Sequence, residues 1–302
     1  MQKTIIGSEK GNTFHMVGDG FRVSNLIPGY GQEMNNMTSP FLMLDYNAPW
    51  KIEPQKNGHR PGVGYHPHRG FETVTIVYSG EVEHRDTAGN GGVIGADEVQ
   101  WMTAGSGLMH QEFMTAEFSR AGGIQHAVQL WVNLPKKDKM TSPRYQALTK
   151  ENIPEIIFEA GRVRIISGSL KVKNQDGTLL EENGVANTFS PVELYDVRLD
   201  RVGNIHLLIE DGYTTMALVV DGSISIEGQE YHSGEIVYFS RSGGEIFFST
   251  RNNAKVLIMS GKPIDEPIAH YGPFVMNAQS EIMQAFTDLN AGKMGRPPQD
   301  TL

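Results

Sequence analysis

Gly64-Tyr65-His66-Pro67-His68-Arg69-Gly70-Phe71-Glu72-Thr73-Val74 and Trp101-Met102-Thr103-Ala104-Gly105-Ser106-Gly107-Leu108-Met109-His110-Gln111-Glu112 are the two stretches whose reading decides the fold. Each carries a pair of metal-competent side chains two residues apart, His66 with His68 and His110 with Glu112. In an extended strand, side chains at i and i+2 share a face, so each pair stands side by side. Two such strands facing one another inside a barrel give four converging donors. Three imidazoles and a carboxylate suit a divalent ion such as Fe(II), Mn(II), Ni(II), Co(II), Zn(II) or Cu(II). Neither pair is decisive alone, because two histidines can flank a proline in any surface loop. The weight comes from finding both on strand-compatible segments of one domain.

Outward from these stretches, short apolar or alternating runs follow one another between turn residues, as a β-sandwich or barrel requires. Glu72 to Tyr78, Val82 to Arg85, Glu98 to Thr103 and His126 to Asn133 read as strands, with Ser79-Gly80-Glu81 and Ala88 to Gly92 as hairpin loops. The glycine-rich loop opens no helix and lacks a following Lys-Ser/Thr, so it is a turn and not a phosphate loop. The polar, proline-flanked run from Asn133 to Pro143 leads into an interdomain linker and places Lys136-Lys137-Asp138-Lys139 in a solvated loop.

Past a first domain of residues 1–148, the same rhythm resumes in residues 149–302. The strands there are Arg162 to Ser167, Val192 to Leu199, Ile205 to Ile209, Thr215 to Val220, Ser223 to Ile226, Glu235 to Phe239, Glu245 to Phe248 and Lys255 to Met259. Asp221-Gly222 looks like a hairpin turn matching Ser79-Gly80, a weak internal repeat consistent with a duplicated barrel. Near the end, Ser280 to Leu289 sets Ile282, Met283, Phe286 and Leu289 on one helical face, with Ser280 or Asn277 as cap and Gly292 as stop. That helix is expected to pack on the barrels.

Composition narrows the chemistry. The chain of 302 residues has no cysteine, so thiolate nucleophiles, disulfides and iron–sulfur clusters are excluded and any metal is held by nitrogen and oxygen. A net charge of −9 argues against direct nucleic-acid binding. No stretch approaches the roughly 20 apolar residues of a membrane span, and the start has no charged head followed by an apolar core, so a cytoplasmic location is expected.

The two motifs, together with Phe41-Leu42-Met43-Leu44-Asp45, Gln129-Leu130-Trp131-Val132-Asn133-Leu134-Pro135 and Tyr271-Gly272-Pro273-Phe274-Val275-Met276-Asn277, resemble the pirin family over nearly the whole chain. That resemblance implies an all-β bicupin: two tandem cupin (jelly-roll) barrels with a C-terminal helix. Two barrels stapled by that helix can suffice as a monomer. It also implies one metal in the N-terminal barrel, Fe(II) first, held by His66, His68, His110 and Glu112. Cupins at large use a carboxylate spaced like Glu72 as a ligand, whereas pirins use the one matching Glu112. Glu72 is therefore a candidate partner behind the ligands or a cross-strand structural residue, and the role of Gln129 stays open. Phe71 and Trp131 read as core packing. His206, His232 and His270 are scattered, so no metal is expected in the second barrel.

For function the resemblance implies a quercetin 2,3-dioxygenase-like reaction on a flavonol or another enolisable small molecule with dioxygen, Glu112 serving as proton acceptor. The alternative is a metal- or redox-tuned regulatory binding protein, acting through a protein partner and not through DNA.

Overall fold

The computed structural model describes residues 1–27, 37–174 and 176–298. The first half supplies β1 (Ile5–Lys10), β2 (His15–Val17), β3 (Phe21–Ile27), β4 (Phe41–Ile52), β5 (Gly62–His68), β6 (Phe71–Ser79), β7 (Val82–Asp86), β8 (Gly91–Ile94), β9 (Val99–Thr103), β10 (Leu108–Phe113), the short helix α1 (Ala116–Ala121), β11 (Gly123–Asn133) and β12 (Arg144–Leu148). The second half supplies β13 (Glu155–Phe158), β14 (Gly161–Ser167), β15 (Ser169–Lys173), β16 (Leu179–Asn183), β17 (Val192–Leu199), β18 (Gly203–Leu208), β19 (Thr214–Ile226), β20 (Gln229–His232), β21 (Glu235–Phe239), β22 (Glu245–Thr250) and β23 (Ala254–Gly261). The chain ends in the hairpin β24 (Ala269–Tyr271) and β25 (Phe274–Met276), followed by helix α2 (Gln279–Asn290). The two-cupin, all-β architecture is therefore present, and among the described residues no helix is long and apolar enough to cross a membrane.

The chain divides into two compact units that are not contiguous halves. Among the described residues, one unit contains 12–27, 41–150 and 264–298, and the other contains 1–11, 37–40, 151–174 and 176–263. The exchange has a plain cause in strand pairing. β1 lies antiparallel to β21, so the first residues complete the second barrel, whereas the isolated bridge between Arg69 and Phe274 ties the C-terminal hairpin to the first.

The first barrel is built from a four-stranded sheet in the order β5-β10-β7-β8 and a seven-stranded sheet in the order β12-β9-β6-β11-β4-β3-β2. Residues 72–78 of β6 are buried without a break, the mark of a central strand covered on both faces. The same is true of all eight residues of β17 in the second barrel, whose core is a single cluster including Val163, Ile165, Tyr195, Val237, Phe248 and Val256.

Four local readings of the sequence are corrected by the structure. Thr215 to Ile226 is one strand, not two joined by a hairpin: the register slips between Val219 and Asp221, and Gly222, at φ 76°, absorbs the bulge. Lys139 is not solvated. Its ammonium donates to the carbonyls of Gly70 at 2.8 Å and Val275 at 2.9 Å and to Asn133 Oδ1 at 2.7 Å. In α2 the buried face is Ile282 and Ala285 with Phe286 and Leu289 against it, while Met283 is 67% exposed.

The cap of α2 is Ala278, not Ser280 or Asn277, and Glu281 reaches back to accept from the backbone N–H groups of Asn277 and Ala278, both at 2.9 Å. Gly292 at φ 74° ends the helix in the left-handed conformation. Helix and hairpin buttress the loop after His68. Arg69 pairs with Asp288 of α2 at 3.0 Å, and at Gly70 (φ 89°) a Cβ would sit 2.0 Å from the Val275 carbonyl oxygen.

Candidate metal centre

The antiparallel pair β5 and β10 brings the two sequence motifs together. His66 lies directly opposite His110, His68 lies opposite Leu108, and the register slips between His110 and Glu112. Along β10 the residues Leu108, His110 and Glu112 turn to the buried face, while Met109, Gln111 and Phe113 are partly exposed. Ring centroids are 4.2 Å apart for His66 and His110, and 4.9 Å apart for both His66–His68 and His68–His110. The three rings can each offer a nitrogen within 4.8 Å of the other two.

The protonation pattern suits metal binding. His66 Nδ1 lies 2.9 Å from the Gly64 carbonyl oxygen, which makes it the N–H donor and leaves Nε2 as the lone-pair nitrogen. Burial pushes the His68 and His110 imidazoles well below their ordinary pKa, with the neighbouring histidines adding to the effect. Both rings are therefore neutral and carry a ligating lone pair. His68 Nδ1 and His110 Nε2 are buried without a hydrogen-bond partner among the described residues. Leaving a buried polar atom unmatched costs about 1–3 kcal/mol, and two such atoms on rings whose centroids lie 4.9 Å apart fit a cation that would bond both.

Glu112 joins through a second, overlapping group. His84, His110 and Glu112 also offer ligand atoms within 4.8 Å of one another, whereas Glu112 is not grouped with His66 and His68 at that distance. His84 was missed in the sequence. The signal was present in Val82-Glu83-His84-Arg85-Asp86, where positions 82, 84 and 86 alternate to the buried face of β7 and lie on the strand beside β10.

One proton arrangement serves every contact of His84. Its Nε2 is 3.4 Å from Asp86 Oδ2, while its Nδ1 is 3.3 Å from His110 Nδ1 and 3.4 Å from Gln100 Nε2. His84 then donates from Nε2 to Asp86, and its one Nδ1 lone pair is shared by the His110 Nδ1–H and the Gln100 amide, which leaves His110 Nε2 as a bare acceptor. Burial opposes ionisation of Asp86, but hydrogen bonds from His84 and Asn90 outweigh it and hold the carboxyl below its usual range. The ring of His84 is fixed by Tyr145, stacked at 4.9 Å and 16°.

Opposite this cluster, the seven-stranded sheet presents a polar row. Asn25, Asp45, Gln129, Thr75 and Gln100 are successive cross-strand partners on β3, β4, β11, β6 and β9. A cavity of about 60 Å³ opens between the row and His66. Val17, Phe21, Val23, Val63, Val82 and Ala127 form its apolar wall, and Asp45, Asn47, His66, Thr75, Glu112 and Gln129 supply its polar groups. Burial raises the Asp45 carboxyl above its ordinary pKa, although Asn25 donates to it at 3.0 Å.

Glu72 lies three residues before Thr75 on β6 and so points to the other face of the sheet. It accepts from its cross-strand partner Thr103 at 2.6 Å and stands 4.0 Å from Arg144, outside both groups of ligand atoms. Phe71 and Trp131 stack at 4.2 Å and each lies 5.1 Å from the His68 ring, walling it from one side. A larger concavity of about 450 Å³ in the second barrel, between Lys173, Arg201 and His206, holds neither of these ligand groups, so size does not mark the site.

Comparison with known proteins bears on the whole chain. The family model described as Pirin matches residues 20–132, and that of the pirin C-terminal cupin domain matches residues 194–295. A crystal structure of a quercetin 2,3-dioxygenase from Acinetobacter baumannii is similar at 41% identity and a TM-score of 0.88, covering 98% of this chain and 99% of that one. A protein of Pseudomonas aeruginosa, named provisionally as a quercetin 2,3-dioxygenase, is 40% identical over 97% of this chain and 99% of its own. A pirin-like protein of Solanum lycopersicum is 36% identical over 87% of this chain and 84% of its own.

Proposed function

The chain belongs to the pirin family, and from that premise we propose that it is a metal-dependent dioxygenase acting on a flavonol or another enolisable small molecule. The overall reaction is oxygenolytic ring cleavage of the quercetin 2,3-dioxygenase type, consuming dioxygen and releasing carbon monoxide. The observation that carries this reading is the convergence of three imidazoles, two of them neutral with orphaned buried nitrogens, beside a cavity that also admits Glu112. Relatives named as quercetin 2,3-dioxygenases support the same reading.

His66, His68 and His110 would hold the ion, with Glu112 as fourth ligand; Fe(II) is the expected metal, and nickel, manganese, cobalt, copper or zinc suit the same donors. A divalent metal held by these residues would supply Lewis acidity toward an enolic hydroxyl and redox chemistry toward dioxygen. Glu112 borders the cavity, and as proton acceptor it would take the hydroxyl proton on an oxygen that gives up one of its present hydrogen bonds. The apolar wall from Val17 to Val82 keeps water from the electron-rich anion, and Asp45 and Asn47 offer hydrogen bonds to the hydroxyl groups of a bound substrate.

The decisive experiment is carbon monoxide release from quercetin in air by protein loaded anaerobically with Fe(II), beside a Glu112→Ala variant whose metal content is assayed separately. Release that requires both metal and Glu112 is the expected result. A fully metallated protein that releases none rules out the flavonol reaction.

The cavity volume favours a second reading. Pockets for drug-sized ligands run to roughly 300–1,000 Å³, well above the 60 Å³ found here. A regulatory protein whose metal tunes binding to a protein partner, or an enzyme for a smaller enolisable substrate, would need no more room.

A further inference from the structure

Both oxygens of Glu112 are already engaged by side-chain amides. Gln100 Nε2 donates to Oε1 and Gln129 Nε2 donates to Oε2, each at 3.0 Å. The two glutamines reach the same carboxylate because of sheet register. Thr75 on β6 is the direct partner of Gln100 on β9 and of Gln129 on β11, so the three side chains form neighbouring steps of one row. Thr75 fills the middle, accepting from Gln129 at 3.2 Å and lying 3.5 Å from Glu112 Oε1. Glu112 itself comes from β10 of the other sheet.

The orientation of Gln100 is fixed from behind. Tyr145 donates its hydroxyl to Gln100 Oε1 at 3.3 Å, which turns the NH₂ end toward Glu112. Gln100 is fully buried, so a reversed amide would set two carbonyl-type acceptors against each other with no water to intervene.

We propose that Gln100 and Gln129 are positioning residues of the metal centre, an amide clamp that holds the Glu112 carboxylate beside His110 in the orientation from which it ligates the ion. The inference rests on the reading of Glu112 as a ligand. A carboxylate has about four lone-pair sites; Gln100 and the Thr75 hydroxyl donate to Oε1 and Gln129 to Oε2, which leaves a site on Oε2 for a cation. Amides are suited to the task because they donate without charge. A lysine or arginine in either place would compete with the metal for the same anion, and a histidine would tie the geometry to pH. The clamp also orders the long Glu112 side chain before metal arrives, so binding loses less conformational entropy.

The test is a pair of double-mutant cycles read by Co(II) affinity, measured by competition with a chromophoric chelator, and by the visible Co(II) absorption spectrum. Gln129→Leu and Gln100→Leu are each made alone and in a Glu112→Gln background, with circular dichroism and melting of the metal-free proteins recording the fold. Each leucine variant is expected to weaken Co(II) binding by about 10–100-fold and to shift the visible bands, as loss of a partner behind a ligand does elsewhere. In the Glu112→Gln background the same changes are expected to cost little.

Equal losses in both backgrounds would overturn the clamp, because the glutamines would then act through packing alone. An unchanged Co(II) affinity in Glu112→Gln itself would instead remove Glu112 from the ligand set, and the clamp with it. Should the fully buried Gln100→Leu fail to fold, the Gln129 cycle decides the matter, since Gln129 borders the cavity and is only partly buried.

Discussion

His66 and His110 are direct cross-strand partners on β5 and β10, with ring centroids 4.2 Å apart. Two cationic imidazoles at that distance would repel, whereas a single divalent cation can be shared by a lone pair from each ring. His66→Ala and His110→Ala are each expected to lose bound metal on dialysis while keeping a wild-type circular dichroism spectrum. Elemental analysis checks the first and melting curves the second.

His84 Nδ1 lies 3.3 Å from His110 Nδ1. Removing it frees the His110 ring to rotate and to protonate the wrong nitrogen, so His84→Ala is expected to weaken metal binding by about 10–100-fold. Asp86→Asn keeps the shape of the site but weakens the hold on His84, and a smaller loss is expected. Metal titration of both variants gives the order, and an Asp86 effect larger than that of His84 would contradict it.

How far these groups can be read from sequence depends on what each reading needs. The pairs His66/His68 and His110/Glu112 are legible because a period of two is local and both motifs are dense in chemistry. His84 is a lone histidine on an ordinary alternating strand, and only the pairing of β7 with β10 gives it meaning. The glutamine row is harder still, since Gln100 and Gln129 are 29 positions apart and meet through β6. Likewise Asp221-Gly222 has the composition of a turn, and only the continued pairing of β19 with β23 and β20 makes it a bulge. Lys139 looks solvated because its acceptors come from Gly70 and Val275, far away in the chain.

Lys139→Met should show what that buried ammonium does. Three acceptors would lose their donor, one of them on the loop that follows His68. A loss of about 2–4 kcal/mol in unfolding free energy is expected from the unmatched carbonyls, measurable by denaturant titration of the metal-free protein.

Glu72 gives a pH dependence with a definite sign. Burial raises its carboxyl from 4.5 to about 7, against the opposing hydrogen bond from Thr103 and the charge of Arg144. The folded state therefore holds this proton more tightly than the unfolded one. Its contribution to stability is fully present below pH 4.5 and is lost as pH rises through about 7, a change of roughly 3 kcal/mol at most. Glu72→Gln is expected to lose less melting temperature between pH 5 and pH 8 than the wild type. Equal losses would show that the carboxyl ionises without cost.

The central claim, one mononuclear site built on the histidines of β5 and β10, is tested most directly by anaerobic Fe(II) titration of the wild type and of a His66→Ala/His110→Ala double variant. The account expects one equivalent bound tightly by the wild type and none retained by the variant after gel filtration. Equal retention by both proteins, or no retention by a folded wild type, would contradict it.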